Sequence, residues 1–175
     1  MHPQVAIVSD THGQVDPKLK KLFRNVSVLV HAGDVNDEET LAAIGKLVTG
    51  VTCVVVRGNN DKGAFAARLQ EVATVDVQGV RLLCAHQAEL ATSALSDDHN
   101  ARAKVIVTGH SHKAAVGVKD GRLWINPGGA GPKRFSNLRA AGLLEVRPKE
   151  LVARIYSLED DALPMIAEAR LGRDA

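Results

Sequence analysis

Five short aliphatic runs punctuate the first two thirds of the chain, and each gives way to a residue able to bind a metal. Val5-Ala6-Ile7-Val8 leads into Asp10-Thr11-His12, Val28-Leu29-Val30 into Gly33-Asp34, and Val54-Val55-Val56 into Gly58-Asn59-Asn60-Asp61. Leu82-Leu83-Cys84 leads into His86, and Val105-Ile106-Val107 into Gly109-His110-Ser111-His112. Short β-rich runs bounded by turn residues predict buried strands. In an open α/β sheet, ligands gather outside the carboxyl ends of the strands. Residues scattered over a hundred positions are therefore expected to meet at one edge.

The first half alternates strand and helix. Strands are predicted at about 5–9, 27–32 and 52–57. Pro17 opens a basic amphipathic segment, Lys18 to Arg24, at a first-turn position where its missing N–H would be unpaired anyway. Asn36-Asp37-Glu38-Glu39 starts a helix to about Leu47, with acidic residues suited to the helix dipole and Leu41, Ile44 and Val48 on its apolar face. A weaker helix is predicted near 63–70. Val72–Val77 and Val80–Ala85 then form a hairpin around Gln78-Gly79, followed by a helical segment from about Glu89 to Ala103 and a strand at 104–108. Asp120-Gly121 is a strong two-residue hairpin signal. A further hairpin joins Ala141–Val146 to Leu151–Ile155 around Pro148-Lys149. The segment after Leu158 reads as a short helix or a frayed end. This order predicts an α/β sandwich rather than a wholly parallel sheet. The 175 residues suit one domain, over 1–158, with a C-terminal tail over 159–175.

Composition narrows the function. Aromatic residues make up only 3% of the chain, so the core is aliphatic. The net charge of +2 is too balanced for a nucleic-acid groove or an anionic membrane surface. No apolar stretch reaches the roughly 18 residues of a membrane helix. Met1-His2-Pro3-Gln4 lacks the features of a secretory leader, so a cytoplasmic location is the default. Cys53 and Cys84 lie in predicted strands with no C-x-x-C, and are expected to be small buried hydrophobes.

The candidate ligands are Asp10, His12, Asp34, Asn59, His86, His110 and His112. Seven are too many for one catalytic zinc, which takes about three protein groups and a water. They suit two metals sharing one carboxylate. Nitrogen and oxygen donors without thiolate favour Mn, Fe, Zn, Ni or Co over Ca or Mg. Two divalent ions, less two aspartates and a bridging hydroxide, leave a positive excess that attracts a phosphate ester. Taken singly, each motif also has a bland reading as a turn or a satisfied core histidine. Five such motifs in succession, each at a strand exit, favour one metal site.

Asp-x-His, Gly-Asp, Gly-Asn-x-Asp, a lone His after a strand, and Gly-His-x-His occur here in the order of the calcineurin-like metallophosphoesterases. Over residues 5–156 the chain resembles that family's small bacterial and archaeal phosphodiesterases, to which the retromer scaffold subunit is related. The resemblance implies a four-layer α-β-β-α sandwich of two mixed β-sheets flanked by helices. It implies that Asp10, His12, Asp34 and His112 hold a first metal, and Asp34, Asn59, His86 and His110 a second, with Asp34 bridging. Manganese is the expected metal, with Ni, Fe, Zn or Co as alternatives. It also implies hydrolysis of a small phosphodiester by a hydroxide held between the metals, with Asp34, His12 and Asn59 nearest the chemistry. Some relatives are dimers or tetramers, so a homo-oligomer is allowed.

The departures refine this picture. Many phosphatases of the wider family have Gly-Asn-His-Glu; here Asn60 replaces that His and cannot donate a proton at matched pKa. This favours diesters over monoesters. His86 is followed by Gln87 where Gly is usual. Asn126-Pro127-Gly128 matches a family loop, with Gly129 in place of Ser and Pro132 displaced by one. Arg134, with Asn60, is the candidate substrate contact. A phosphomonoesterase and a non-catalytic scaffold are the rival readings, and a nuclease ranks below both. His2 and His99 are expected to be exposed, His31 to make a structural hydrogen bond, and Asp61 to serve its turn. The Lys18–Arg24 cluster reads as a solvated helix face, and Trp124 as core or subunit contact.

Overall fold

Strand β1 (Gln4–Val8) faces two cores at once. Val5 and Ile7 point to one and Ala6 and Val8 to the other, all fully buried. That is the period-two geometry of a strand covered on both faces. The computed structural model describes residues 2–48, 50–134 and 137–173. Beside β1 lie the parallel strands β2 (Val28–His31) and β3 (Thr52–Val55). On its other side β9 (Ala140–Val146), β10 (Glu150–Ser157) and β11 (Met165–Gly172) run antiparallel to one another, completing the order β11-β10-β9-β1-β2-β3.

A second sheet has the order β4-β5-β6-β8-β7, from β4 (Val72–Val77), β5 (Val80–Ala85), β6 (Val105–Val107), β7 (Ala115–Lys119) and β8 (Arg122–Asn126). Strands β5, β6 and β8 are parallel; the outer two are antiparallel. Leu82, Cys84, Val105 and Val107 meet Val5, Ile7, Val28 and Val30 between the sheets. Leu83 and Ile106 face outward onto Ala91 of α4 (Ala88–Ala94). On the far side, Ala6 and Val8 pack with Leu19 of α1 (Lys18–Leu22), Ile44 of α2 (Glu38–Gly45) and Phe65 of α3 (Gly63–Ala66). The result is the four-layer arrangement of two mixed sheets between helices.

Local chemistry fixes the elements. The Asp37 carboxylate caps α2 by accepting from the Thr40 N–H at 2.8 Å. Both two-residue hairpin loops have consecutive positive φ angles, Gln78 and Gly79 at 52° and 76°, Asp120 and Gly121 at 50° and 67°. This is the twist that matches two strands. Among the described residues no helix is long and apolar enough to cross a membrane.

Four expectations need correction. The segment after Leu158 contains strand β11 at the sheet edge, rather than a helix or frayed end. Its outward residues include Glu168 and Arg170, which pair with Arg154 and Glu150 across the ladder. Charges of this kind blunt an edge strand and hide it in the sequence. The helix expected over Glu89–Ala103 stops at Ala94, and only a 3₁₀ turn at Asn100–Arg102 follows. There the Asp97 carboxylate accepts from the His99 and Asn100 N–H groups and draws the backbone out of helix. The helix near 63–70 is a single turn. Cys53 is exposed, because β3 is an edge strand, whereas Cys84 is buried.

Candidate metal centre

The loops leaving β1, β2, β3, β5 and β6 converge on one rim, and their backbone is strained there. Asp10, His12, Asp34, His110 and His112 all have positive φ, between 45° and 66°. Such conformations cost about 1–3 kcal/mol each in non-glycine residues and cluster at functional sites. Backbone bonds lock them: Asp10 N–H donates to Gly33 O and His12 N–H to Asp34 O, each at 3.0 Å. Gly58 is required by close approach, since a Cβ there would lie 2.2 Å from the Asp34 nitrogen. At Gly109 a Cβ would lie 1.9 Å from Ser9 Oγ.

The side chains form two facing groups. In one, the stacked rings of His12 and His112 bring their Nε2 atoms within 3.3 Å of each other. Asp10 Oδ1 lies 3.8 Å from His12 Nε2 and 3.4 Å from His112 Nε2. In the other, Asn59 Oδ1 sits 3.0 Å from both His86 Nε2 and His110 Nδ1. Asp34 Oδ2 reaches both groups, 3.7 Å from His12 Nε2 and 3.4 Å from His86 Nε2. Asp10 also faces both: its carboxylate closes one triad with His12 and His112 and another with Asp34 and His86. All seven expected ligands therefore lie together.

Hydrogen-bond accounting shows what this arrangement lacks. Asp10 Oδ2 accepts from Ser9 Oγ at 2.7 Å and from the His110 N–H at 3.1 Å. Asp10 Oδ1 is buried with no hydrogen-bond partner among the described residues. Burial pushes the Asp10 carboxyl up to about 6, against the lowering pull of Ser9 and His86. His86 Nδ1 lies 2.7 Å from the Ala32 carbonyl, which can only accept. In a neutral ring the Nε2 is then a bare lone pair, aimed at two further acceptors, Asn59 Oδ1 and Asp34 Oδ2. Lone pairs converging in this way need a proton or a cation between them, and the set of nitrogen and oxygen donors fits a cation. Burial, the neighbouring His12 and the charge of Arg134 lower His112 to about 4, and burial with Arg134 also lowers His12. Both rings are thus neutral near pH 7, the form that ligates. Burial alone would raise Asp34, but His86 and Asn60 outweigh it and hold the carboxyl well below its usual range. For His86 burial is likewise outweighed, by Asp34 and the Ala32 carbonyl, and its pKa is raised.

Asn60 is bound to Asp34, donating its N–H to Oδ1 at 2.8 Å and its amide to Oδ2 at 2.7 Å. Arg134 is exposed, close enough for its charge to act on His12 and His112. Asp61 does more than serve its own turn. Its carboxylate accepts from the N–H groups of Gly58, Asp34 and Asn36, tying the loop after β3 to the loop after β2. His31 is fully buried, accepts the Gly33 N–H on Nδ1 and donates from Nε2 to Thr11 Oγ1. Its tautomer is thereby fixed. Ser9 and Asp61 carried no signal beyond turn chemistry, because their partners lie on other loops.

A family model for the calcineurin-like phosphoesterase superfamily domain matches residues 4–149. The chain belongs to that superfamily. It is 28% identical over 159 residues to a probable metallophosphoesterase, YsnB, of Bacillus subtilis, covering 87% of this chain and 89% of that protein. Its fold is similar to that of vacuolar protein sorting 29 from Cryptosporidium parvum, with a TM-score of 0.81 at 18% identity over 98% of this chain and 99% of the other. It is also similar to Vps29 from Entamoeba histolytica in complex with zinc, with a TM-score of 0.71 at 20% identity over 97% and 98% of the two chains. Members of this metallophosphoesterase superfamily use divalent metals, and the chain presents Asp and His groups able to bind them.

Proposed function

We propose that this chain is a two-metal phosphodiesterase, with Asp10, His12, Asp34 and His112 holding one ion and Asp34, Asn59, His86 and His110 the other. The observation that carries the reading is the orphaned Asp10 Oδ1, buried beside two imidazoles held neutral. Divalent cations bound there supply a water nucleophile at neutral pH and positive charge opposite a phosphate. The chain's own groups do the rest. Asp61 holds the Asp34 and Asn59 loops in register. Arg134 offers its guanidinium to a phosphate oxygen from the His12 side. Asn60 orients the Asp34 carboxylate and, lacking an ionisable ring, gives no proton to a poor leaving group. That favours diesters with good leaving groups over monoesters. Manganese is the first metal to test.

The experiment is metal analysis and hydrolysis of bis(4-nitrophenyl) phosphate by the wild type and Asp34→Ala. The variant is expected to lose both metals and all turnover; unchanged turnover overturns the mechanism. Rates on 4-nitrophenyl phosphate decide between diester and monoester. Likeness to Vps29 supports a second reading, a scaffold. That reading predicts no metal-dependent hydrolysis of either substrate.

A further inference from the structure

On the Asn59 and His86 side of the centre, a groove of about 370 Å³ opens between α3 and the start of α4. Its lining includes the small residues Gly58, Gly63, Ala66 and Ala67, which leave room for a substituent. The volume suits a small organic group. The rim carries Arg57, Lys62, Glu71, Gln87 and Leu90.

The two cations and two anions of this lining balance in number but are not paired evenly. Arg57 is paired with Glu71. The Asp61 carboxylate, though it lines the groove, is buried and turned onto three backbone N–H groups, and makes no ion pair with Lys62. Lys62 is exposed and makes no ion pair among the described residues. The half-buried Gln87 amide likewise has no hydrogen-bond partner among them. One ammonium and one amide are therefore left to face a ligand in a groove that reaches two of the centre's candidate ligands. Arg134 acts on the opposite, His12 and His112, side.

We propose that this groove is the specificity pocket for one ester arm of the substrate, and that the arm it takes bears an anionic group, read by Lys62 and steadied by Gln87. The proposal rests on the reading of the centre as a diesterase. In the reaction a water oxygen forms the new bond to phosphorus and the bond to the other arm breaks. That arm leaves as its alcohol or phenolate, and the anionic arm remains in the groove as a monoester. An arm ending in a carboxylate and one ending in a second phosphate share the chemistry that Lys62 recognises.

The test uses manganese-loaded protein and 4-nitrophenyl diesters whose second arm is a phenyl group bearing a carboxylate, a phosphate or a neutral carboxamide. The wild type is expected to prefer the anionic arms at least about threefold in kcat/KM, mainly through KM, as a partly exposed charge pair allows. A larger preference for the carboxylate or for the phosphate identifies the natural arm. Lys62→Ala should erase the preference and Lys62→Glu invert it. Lys149→Glu, on the distant turn between β9 and β10, controls for net charge and should leave it intact. Calorimetric binding of carboxyphenyl phosphate and its carboxamide, which needs no turnover, should show the same ratio. Equal preference in the wild type and Lys62→Glu, in both rate and binding, overturns the pocket. Failure of the wild type to cleave any of the diesters overturns the diesterase reading instead, and the binding ratio still decides the pocket.

Discussion

Replacing Asp61 with alanine removes one carboxylate and leaves three backbone N–H groups without an acceptor, those of Gly58 (2.8 Å), Asp34 (3.1 Å) and Asn36 (2.8 Å). Asp61 is only 6% exposed, so water does not reach the vacated position freely. Hydrogen bonds to a charged acceptor are worth about 1.5–3 kcal/mol each, and the three together about 4–9 kcal/mol before any relaxation. Loop relaxation and some water entry recover part of this, so a loss of about 3–5 kcal/mol is expected, at the upper end of single substitutions. A domain holding about 5–15 kcal/mol in total comes near its limit with such a loss. Asp61→Asn is therefore the sharper probe. An amide oxygen at the Oδ2 position still serves Gly58 and Asp34, but the NH₂ then confronts the Asn36 N–H, donor against donor. A loss of about 2–3 kcal/mol follows from one broken charged bond and the lost charge on the other two. Urea unfolding of the chelated protein reads this term. Manganese calorimetry reads a second, since a loosened support shell commonly weakens metal affinity about 10–100-fold. If Asp61→Asn unfolds within about 0.5 kcal/mol of the wild type and binds manganese equally well, the two loops are not held in register by this carboxylate.

Gly58→Ala should be worse than Gly109→Ala in both urea unfolding and manganese binding: the first places a Cβ 2.2 Å from the Asp34 backbone nitrogen, whereas the shortest contact of the second, 1.9 Å to Ser9 Oγ, is with a hydroxyl that can rotate away. Equal stability and affinity of the two would contradict that ranking. Burial holds His31 neutral down to about 3, so the unfolded chain binds its proton first and the His31 contribution is lost as pH falls below about 6.5, by about 1.4 kcal/mol per unit. Asp10, raised to about 6, works in the opposite sense and adds stability as pH falls from there towards 4. The stability of chelated His31→Gln relative to wild type should therefore rise by roughly 2–3 kcal/mol between pH 6.5 and 4.5, and parallel profiles in urea would refute the assignment.

What was legible in the chain divides along a physical line. A strand covered on both faces shows itself as an unbroken aliphatic run, so β1, β2, β5 and β6 stood out, and with them the polar residues at their exits. Hairpins at Gln78-Gly79 and Asp120-Gly121 were legible because left-handed φ at two consecutive positions selects few residue types. Strand β11 was hidden because an edge strand alternates Ile166, Glu168 and Arg170 with Ala167, Ala169 and Leu171, a pattern that composition alone reads as a mixed tail. The helix break after Ala94 depends on one aspartate, Asp97, choosing backbone partners. At the centre, residue types capable of ligation could be picked out singly. The bonds that aim them could not, since Asp61 to Asp34 and Asn36, His31 to Thr11, and Asp10 to His110 all join separate loops.

The cost of the rim separates an ion-binding centre from a surface kept only for docking. Five non-glycine residues there hold left-handed backbone, at about 1–3 kcal/mol each. Among the described residues Asp10 is buried with one oxygen orphaned, and His86, its Nδ1 already directed at the Ala32 carbonyl, meets the oxygens of Asn59 and Asp34 only by taking up a proton or an ion. A docking surface gains nothing from these features and would be more stable without them. A cation offsets them together: it satisfies the orphaned oxygen, separates the facing lone pairs and fixes the strained loops through their side chains. Metal binding should therefore raise the unfolding midpoint of the wild type in proportion to RT ln(1 + [L]/Kd), about 2.7 kcal/mol at a hundredfold excess over Kd. The same addition should raise Asp10→Ala by less, since that variant keeps only the ligands of the second ion, Asp34, Asn59, His86 and His110. If instead manganese moves neither midpoint, the strain on this rim serves some purpose other than holding ions, and the catalytic reading falls with it.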